Sequence, residues 1–472
     1  ALANPTPEIM PDAVRKIAPN AIIATGRSDF PNQVNNVLCF PFIFRGALDV
    51  GATEINDDMA IACVSGIAEL ARATTSAEAA AAYKGEQLTF GEDYLIPKPF
   101  DPRLVGVVSA AVAKAAMDSG VAGRPIKDLD AYVNKLNQSV FKSALLMRPV
   151  FQSARKASRR IVFAEGEDER VLRAAQAILE ETTETPILIG RPEVLETRCD
   201  RLGLAVRPGR DFAIVNPEND PRYFDYWNSY HELMEREGVT PDLAKAIMRT
   251  NTSAIGAIMV HREEADSMIC GTFGEYRWHL NYVRQVLGSP TLSPHGALSL
   301  MILEDGPLFI ADTQVNELPS PEDIAQICVG AARHVRRFGL EPNIALCSQS
   351  QFGNHREGSG KRLREALKIL DSKPRDFMYE GEMNVDTALD PELRARIFPR
   401  SRLQGEANVL VFANADAASG VRNILKMRSD GLEVGPILMG MGNRAHIVSQ
   451  SITSRGLLNM AAIAGTPVTH YG

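Results

Sequence analysis

The chain has 472 residues, 45% of them hydrophobic and 23% charged, with a formal net charge of −7. That length allows roughly two to four domains, and the composition is that of an ordinary globular protein. The acidic balance, without any block of like charge, argues against nucleic-acid binding, and no apolar run reaches the ~18–20 residues of a membrane helix.

From its first residue the chain reads ALANPTPEIMPDAV, with no methionine and no signal-peptide pattern. ALAN has the look of a buried strand's end, so a piece of a longer protein is expected. Short β-branched runs then alternate with helical segments. The runs are 21–26 (AIIATG), 160–165 (RIVFAE), 185–190 (TPILIG), 266–271 (DSMICG), 306–312 (GPLFIAD), 343–348 (NIALCS), 408–414 (NVLVFAN) and 435–440 (GPILMG). Several are almost wholly apolar, as strands buried on both faces of a parallel sheet are. Between them lie segments such as 168–181, where Val171, Ala175, Ile178 and Leu179 form one stripe behind an acidic first turn. Strand and helix in alternation predict an α/β fold. The basic, polar stretch 147–158 reads as a linker. It divides a portion 1–146 from a domain 159–472.

The six cysteines, Cys39, Cys63, Cys199, Cys270, Cys328 and Cys347, are scattered singly in apolar surroundings. They read as buried, reduced thiols of a cytoplasmic protein. No HExxH and no Cys/His cluster suggests a zinc site, so no metal is expected in this chain. In the first portion the densest polar segment is 24–49, with Asn35 and Asn36 ahead of an apolar turn. On spacing alone the pair reads first as a turn; the alternative is amide donation to a carboxylate.

ALANPTPEI and GRSDFPNQVNNVLCFPFIFRGALDVGATEIN resemble the C-terminal part of the nucleotide-binding domain of bacterial malic enzymes, over about residues 1–145. The resemblance implies an incomplete Rossmann-like portion, in which Asn4 and Asn36 are the remnant contacts to the malate carboxylate, with Asn35 the second choice of the pair. The family's acid–base pair, its Mg²⁺ or Mn²⁺ carboxylates and its glycine-rich turn for NAD or NADP lie upstream of ALAN. No GxGxxG follows a strand here. Catalytic residues are therefore expected nowhere in this chain.

Residues 159–472 resemble phosphate acetyltransferases in RIVFAEGEDERVLRAAQ (160–176), LFIADTQVNELPSPEDIAQI (308–327), IALCSQSQFGN (344–354), EGEMNVDTAL (380–389), GEANVLVFANADAASG (405–420) and GPILMGMGNRAHIVSQS (435–451). The resemblance implies two α/β subdomains with a cleft between them, 159–293 with 436–472, and 294–435. It also places the family's catalytic serine on Ser449. The arginine beside it falls on Gln450 and the aspartate on Gly456, while a further arginine falls on Asn281. Glutamine cannot clamp an anion as a guanidinium does, and glycine has no proton to exchange. Losing such groups costs about 2–4 kcal/mol of transition-state stabilisation each. Arg444 and Arg455 are the nearest substitutes, and Arg277 and Arg284 serve for the other loop.

The small-residue loop Ser348–Ser350–Gly353 follows a strand, where backbone amides can face an anion; a plain strand-to-helix turn is the competing reading. Arg356, Lys361, Arg362 and Arg364 beyond it read as a solvated helix face rather than as phosphate ligands. The order of the two resemblances is that of the large bacterial hybrid malic enzymes. It implies an NADP-dependent malic enzyme acting on malate. Its last domain would be catalytically degenerate, would form a homo-oligomer and would bind acetyl-CoA as effector, with Ser348, Ser350, Gly353, Arg444 and Ser449 as the ligand residues. The alternatives are an active acetyltransferase fused to a malic enzyme, and a purely structural oligomerisation domain.

Overall fold

Each strand-like run needs a neighbour to take up its amides, and the two halves of the chain meet that need differently. In this computed structural model the described residues are 1–3, 7–27, 30–73, 89–98, 101, 103–182, 185–289, 292–293, 295–303, 305–429 and 432–467. Two compact units result, Ala1–Ala144 and Leu145–Gly472.

The first unit is helical among its described residues: α1 (Pro11–Ile17), α2 (Phe40–Asp49), α3 (Asp57–Arg72), α4 (Arg103–Asp118) and the start of α5 (Leu129–Ala157). Asn56 begins α3 by accepting from the Met59 amide, as an N-cap does. Met59, Cys63 and Leu70 of α3 pack with Leu104, Val108 and Val112 of α4 in one core. The strand expected at 21–26 is not formed; Thr25 makes only an isolated bridge to Gln33. A strand without a sheet beside it has no ladder, and here Asn32 fills part of that role by donating to Ile23 O (3.1 Å) and Glu92 O (2.6 Å). Large apolar side chains, among them Ile17, Leu48, Ile61 and Val64, are exposed on this unit.

The second unit holds two sheets. The first is fully parallel, in the order β11-β4-β1-β2-β3, from β1 (Arg160–Phe163), β2 (Thr185–Ile189), β3 (Ala213–Val215), β4 (Ser267–Cys270) and β11 (Ala445–Ile447). The second has the order β10-β5-β6-β9-β7-β8, from β5 (Gly296–Ile302), β6 (Pro307–Ala311), β7 (Asn343–Cys347), β8 (Met378–Met383), β9 (Val409–Phe412) and β10 (Leu432–Met439). It is mixed rather than parallel as expected. A short turn makes β5 and β6 an antiparallel hairpin, and β10 returns antiparallel beside β5.

Helix α6 (Glu169–Glu181) starts at the Asp168 cap and buries Val171, Ala175 and Ile178 of the predicted stripe, while Leu179 is half-buried; a fully buried valine or isoleucine contributes ~1.5–3 kcal/mol. Two further helices are α10 (Thr252–His261) and α17 (Ser454–Gly465). They bury nearly every residue, which is why both are apolar all round.

Two expected boundaries move. Residues 147–157 are no linker: they form the second half of α5, and Met147, Val150 and Ala154 are buried in the core of the second unit. The basic side chains that made the stretch look solvent-bridging lie on its other face. Subdomain two extends to Met439, because β10 belongs to the second sheet.

Candidate functional site

In the parallel sheet the chain runs from β1 outward to β2 and β3, then returns to place β4 and β11 on β1's other side. The carboxyl ends of β1 and β4 are thus a topological switch point, where open α/β sheets hold ligands. Three loops meet there: Glu165 after β1, Gly271–Thr272 after β4, and Ser449–Gln450 after β11. Gly271 lies at φ +104°, and a Cβ on it would stand 2.5 Å from Val448 O. Only glycine lets the β4 and β11 loops approach so closely.

Glu165 is buried beneath this edge. Its Oε2 accepts from the Gly271 amide (3.0 Å), the Thr272 amide (3.3 Å) and the Thr272 hydroxyl (3.4 Å). Its Oε1 has no hydrogen bond and lies 3.8 Å from His279 Nδ1. Burial pushes the Glu165 carboxyl up to about 7, against the opposing pull of the two amides. Burial also holds His279 below its ordinary value. The ring is therefore neutral, with Nε2 facing Phe273 O (2.8 Å) and Nδ1 facing the Ser253 hydroxyl (2.7 Å).

Arg170 staples the loops together. It donates to Gln450 O (2.6 Å), Ile452 O (3.0 Å) and Thr272 O (2.8 Å), and pairs with Asp168 at 2.7 Å. Gln450 adds a second tie, from its Nε2 to Gly274 O (2.8 Å). Ser449 is half-buried, with its hydroxyl 3.2 Å from that of Ser451. Across the cleft, Lys426 on α16 (Ala415–Arg428) reaches Ser451 Oγ and Glu433 Oε2, both at 2.7 Å. Burial alone would raise the Glu433 carboxyl, but Arg422 and Lys426 hold it below its ordinary value.

The residues expected to share this site are only partly together. Arg444 lies at the amino end of β11 and donates to Val260 O (3.1 Å). The three residues of β11, ~10 Å at strand rise, separate Arg444 at one end of the strand from Ser449 beyond the other, so Arg444 is not its partner. Arg455 lies over the Phe151 ring at 5.9 Å. Arg277 pairs with Glu317 at 2.9 Å, and Asn281 and Arg284 are exposed on α11 (Tyr276–Leu287). Gly456 is buried in the first turn of α17, where a Cβ would stand 2.8 Å from Ile452 Cγ1.

The loop of Ser348, Ser350 and Gly353 is built around a carboxylate, not an anion site. Glu382 is fully buried, and its Oε1 accepts from Ser350 Oγ (2.5 Å), Gly353 N (2.8 Å) and Arg364 (2.7 Å). The amide of Ser350 goes to Ser348 Oγ, that of Gln351 to Asn354 Oδ1, that of Phe352 to Glu382 O and that of His355 to Ser350 Oγ. Amides spent this way cannot cradle a phosphate. Arg364, expected on a solvated face, turns inward instead. Among Arg356, Lys361 and Arg362, the last donates to Ala413 O (3.0 Å) and Lys361 lies 3.9 Å from Glu365.

In the first unit Asn35 caps a short 3₁₀ turn by accepting from Val37 N (3.0 Å), and Asn36 is exposed. Asn4 lies outside the described residues. All six cysteines are free, and Cys39 alone is not fully buried. Among the described residues no three His, Cys, Asp or Glu side chains converge as a metal site, and no helix is long and apolar enough to cross a membrane.

Sequence reasoning missed Glu165, Arg170, Glu382 and Lys426. The first two stand in AEGEDER, a stretch whose charges read as an acidic helix start; nothing in it distinguishes a carboxylate under a sheet edge from one in solvent.

Comparison with known proteins gives two results. Residues 145–465 match the phosphate acetyl/butaryl transferase family. A solved phosphotransacetylase from Streptococcus pyogenes superposes with a TM-score of 0.61 at 26% identity, over 68% of this chain and 98% of its own. Over the whole of its length the chain is 54% identical to an NAD-dependent malic enzyme of Rhizobium meliloti, and over 98% of it 51% identical to an NADP-dependent malic enzyme of Salmonella typhimurium. It spans 61% of the length of each of these relatives.

Proposed function

We propose that this chain, which belongs to the phosphate acetyl/butaryl transferase family through residues 145–465, is the later part of a malic enzyme whose acetyltransferase-like domain binds acetyl-CoA without turning it over. In the longer protein, malate would be oxidatively decarboxylated to pyruvate and CO₂ with NADP or NAD and a Mg²⁺ or Mn²⁺ ion. Asn4 and Asn36 would contribute to the malate carboxylate site. The two coenzymes named among the relatives leave the nucleotide to residues outside this chain.

The observation that carries the reading is Gly456. Where the acetyltransferase pattern has an aspartate, the protein packs a glycine against Ile452, and Gln450 beside the retained Ser449 ties down Gly274 O instead of an anion. Attack by a thiol on acetyl phosphate needs a base and cationic donors for the phosphate; the cations at this edge, Arg170 and Lys426, are spent on Asp168, Gln450 O, Glu433 and Ser451, and the carboxylate beneath it, Glu165, is held by the Gly271 and Thr272 amides. A ligand held there still regulates if it binds one quaternary state better than another. Oligomerisation through this domain supplies such states.

Isothermal calorimetry with acetyl-CoA is the direct test. Saturable binding is expected, weakened at least about tenfold in Ser449→Leu, which fills the half-buried edge; tenfold corresponds to about 1.4 kcal/mol. Binding unchanged in that variant would place the effector elsewhere. Acetyl-CoA formation from CoA and acetyl phosphate is expected at background in a coupled assay. Gly456→Asp alone is expected to leave it there, because the new side chain must displace Ile452 and position 450 beside Ser449 is a glutamine. Turnover at the level of true acetyltransferases would overturn the reading in favour of an active fused enzyme.

A further inference from the structure

The second unit has a cavity of about 570 Å³ at the amino end of β11, the end opposite Ser449. Its walls come mainly from one face of α12 (Pro321–Arg337), the end of α13 (Gly358–Asp371) with the turn after it, and the loop at Gly440–Asn443, with His295 and Pro467 completing them. On α12 the lining residues Glu322, Gln326, Gly330, Arg333 and Arg337 recur at three- and four-residue steps, so one helix face is presented. Arg336, one step off that face, turns outward to Asp376 at 2.8 Å.

The charge on the lining is lopsided. Arg333 and Arg337 stand on the helix, Lys373 and Arg375 on the turn, and Glu322 is the one carboxylate among the lining residues. The two histidines of the lining, His295 and His334, are held neutral by burial. Arg375 donates its Nε to Leu370 O at 3.3 Å, a neutral carbonyl that leaves its charge uncompensated. In a chain of formal net charge −7, this is a local reversal of sign, and a concave low-dielectric wall concentrates such a field.

Part of the cavity is rigidly built. Arg337 donates to Ile463 O at 2.5 Å and Asn443 Oδ1 at 3.3 Å. Asn443, nearly fully buried, in turn donates to Ile463 O (2.7 Å), Ala464 O (3.1 Å) and Thr466 O (2.8 Å). The carbonyl end of α17 therefore sets the guanidinium in place. Ala325, Val329 and Ile369 supply an apolar wall beside it. A volume in the range of small-molecule pockets, an apolar wall and a few fixed polar groups are what a metabolite site has.

We propose that this cavity binds a small organic diphosphate, its two phosphates facing the Arg333–Arg337 and Lys373–Arg375 pairs and its apolar part against Val329 and Ile369. A single phosphate answers one pair of cations; two linked phosphates answer both. The proposal does not rest on acetyl-CoA occupying the Ser449 cleft, which lies at the other end of the strand.

The test is calorimetry of inorganic pyrophosphate against the full chain at fixed ionic strength, with sulfate as the control anion. One-to-one saturable binding is expected. Charge-assisted hydrogen bonds of this kind are each worth about 1.5–3 kcal/mol, so the double variant Lys373→Glu/Arg375→Glu should weaken it by well over tenfold. Glu322→Gln, which removes the opposing charge, should tighten it. Glu322 and Lys373 are exposed and Arg375 is half-buried, and an unchanged thermal melt certifies that both variants fold. If the double variant also loses acetyl-CoA binding, the cavity is confirmed and the cleft assignment falls. Pyrophosphate heat that is absent, unchanged in the double variant, or matched by sulfate would overturn the proposal.

Discussion

Arg364→Ala is expected to destabilise the protein by about 3 kcal/mol or more, read as a shift in the urea unfolding midpoint at constant slope. Arg364 is the only cation on Glu382 among the ion pairs of the described residues, at 2.7 Å, and Glu382 is fully buried. Its Oε1 already takes the Ser350 hydroxyl and the Gly353 amide, while Oε2 accepts no hydrogen bond. Without the guanidinium, a buried carboxylate is left uncompensated, which costs far more than the pair itself contributes. The companion variant separates the two causes. Arg364→Ala with Glu382→Gln removes the charge along with its partner and should recover part of the loss. A cost below ~1 kcal/mol for Arg364→Ala would mean the pair acts as an exposed salt bridge does. The same measurement bears on the 348–354 loop, because its turn is held by this carboxylate rather than shaped for an anion.

That loop shows where sequence pattern stops being informative. Ser348, Ser350 and Gly353 after a strand have the residue types of an anion cradle, and the strand is where it was expected. What decides the loop's chemistry is Glu382, which arrives from β8, ~30 residues on, and no spacing rule links it to the serines. The apolar runs were legible for a simpler reason. Burial on both faces demands continuous hydrophobic strands, so β1, β2, β4, β6, β7, β9 and β10 could be located directly. β8 escaped because MYEGEM carries two glutamates, each serving a buried role in the fold. The run at 21–26 failed in the opposite way: it has the composition of a strand, but a strand is a property of a pair.

The site was legible in its chemistry and not in its geometry. Ser449, Gln450 and Gly456 are near one another in the chain and remain so in space, and their substitutions carry the functional reading. Arg444 is as near in sequence, yet β11 is three residues of extended chain that carry it to the far edge of the sheet. Sequence distance ranks candidates well within a loop and poorly across a strand.

Glu165→Gln is expected to stabilise the protein by about 2–3 kcal/mol at pH 8 and by little near pH 4.5. The Glu165 carboxyl rises from 4.5 to about 7 on folding, through burial. Between those values the folded state holds a proton that the unfolded chain has released, so this group's contribution to stability falls as pH rises and is flat above 7. The buried histidines act in the opposite sense: His279, His295 and His446 are depressed from 6.5, and they favour folding more as pH rises toward that value. Asp168 and Asp266 are lowered from 3.8 and act only at lower pH. The wild-type curve therefore mixes signs, and the difference between variant and wild type isolates Glu165. Urea unfolding at several pH values gives that difference directly; parallel curves would refute the assignment. Glu165 also lies under the edge that Ser449 occupies, joined to it through Thr272 and Arg170. A bare carboxylate there repels an anionic ligand and a protonated one does not. Acetyl-CoA bound at this edge should thus be held more tightly at pH 6 than at pH 8 in the wild type, and with a flatter dependence in Glu165→Gln.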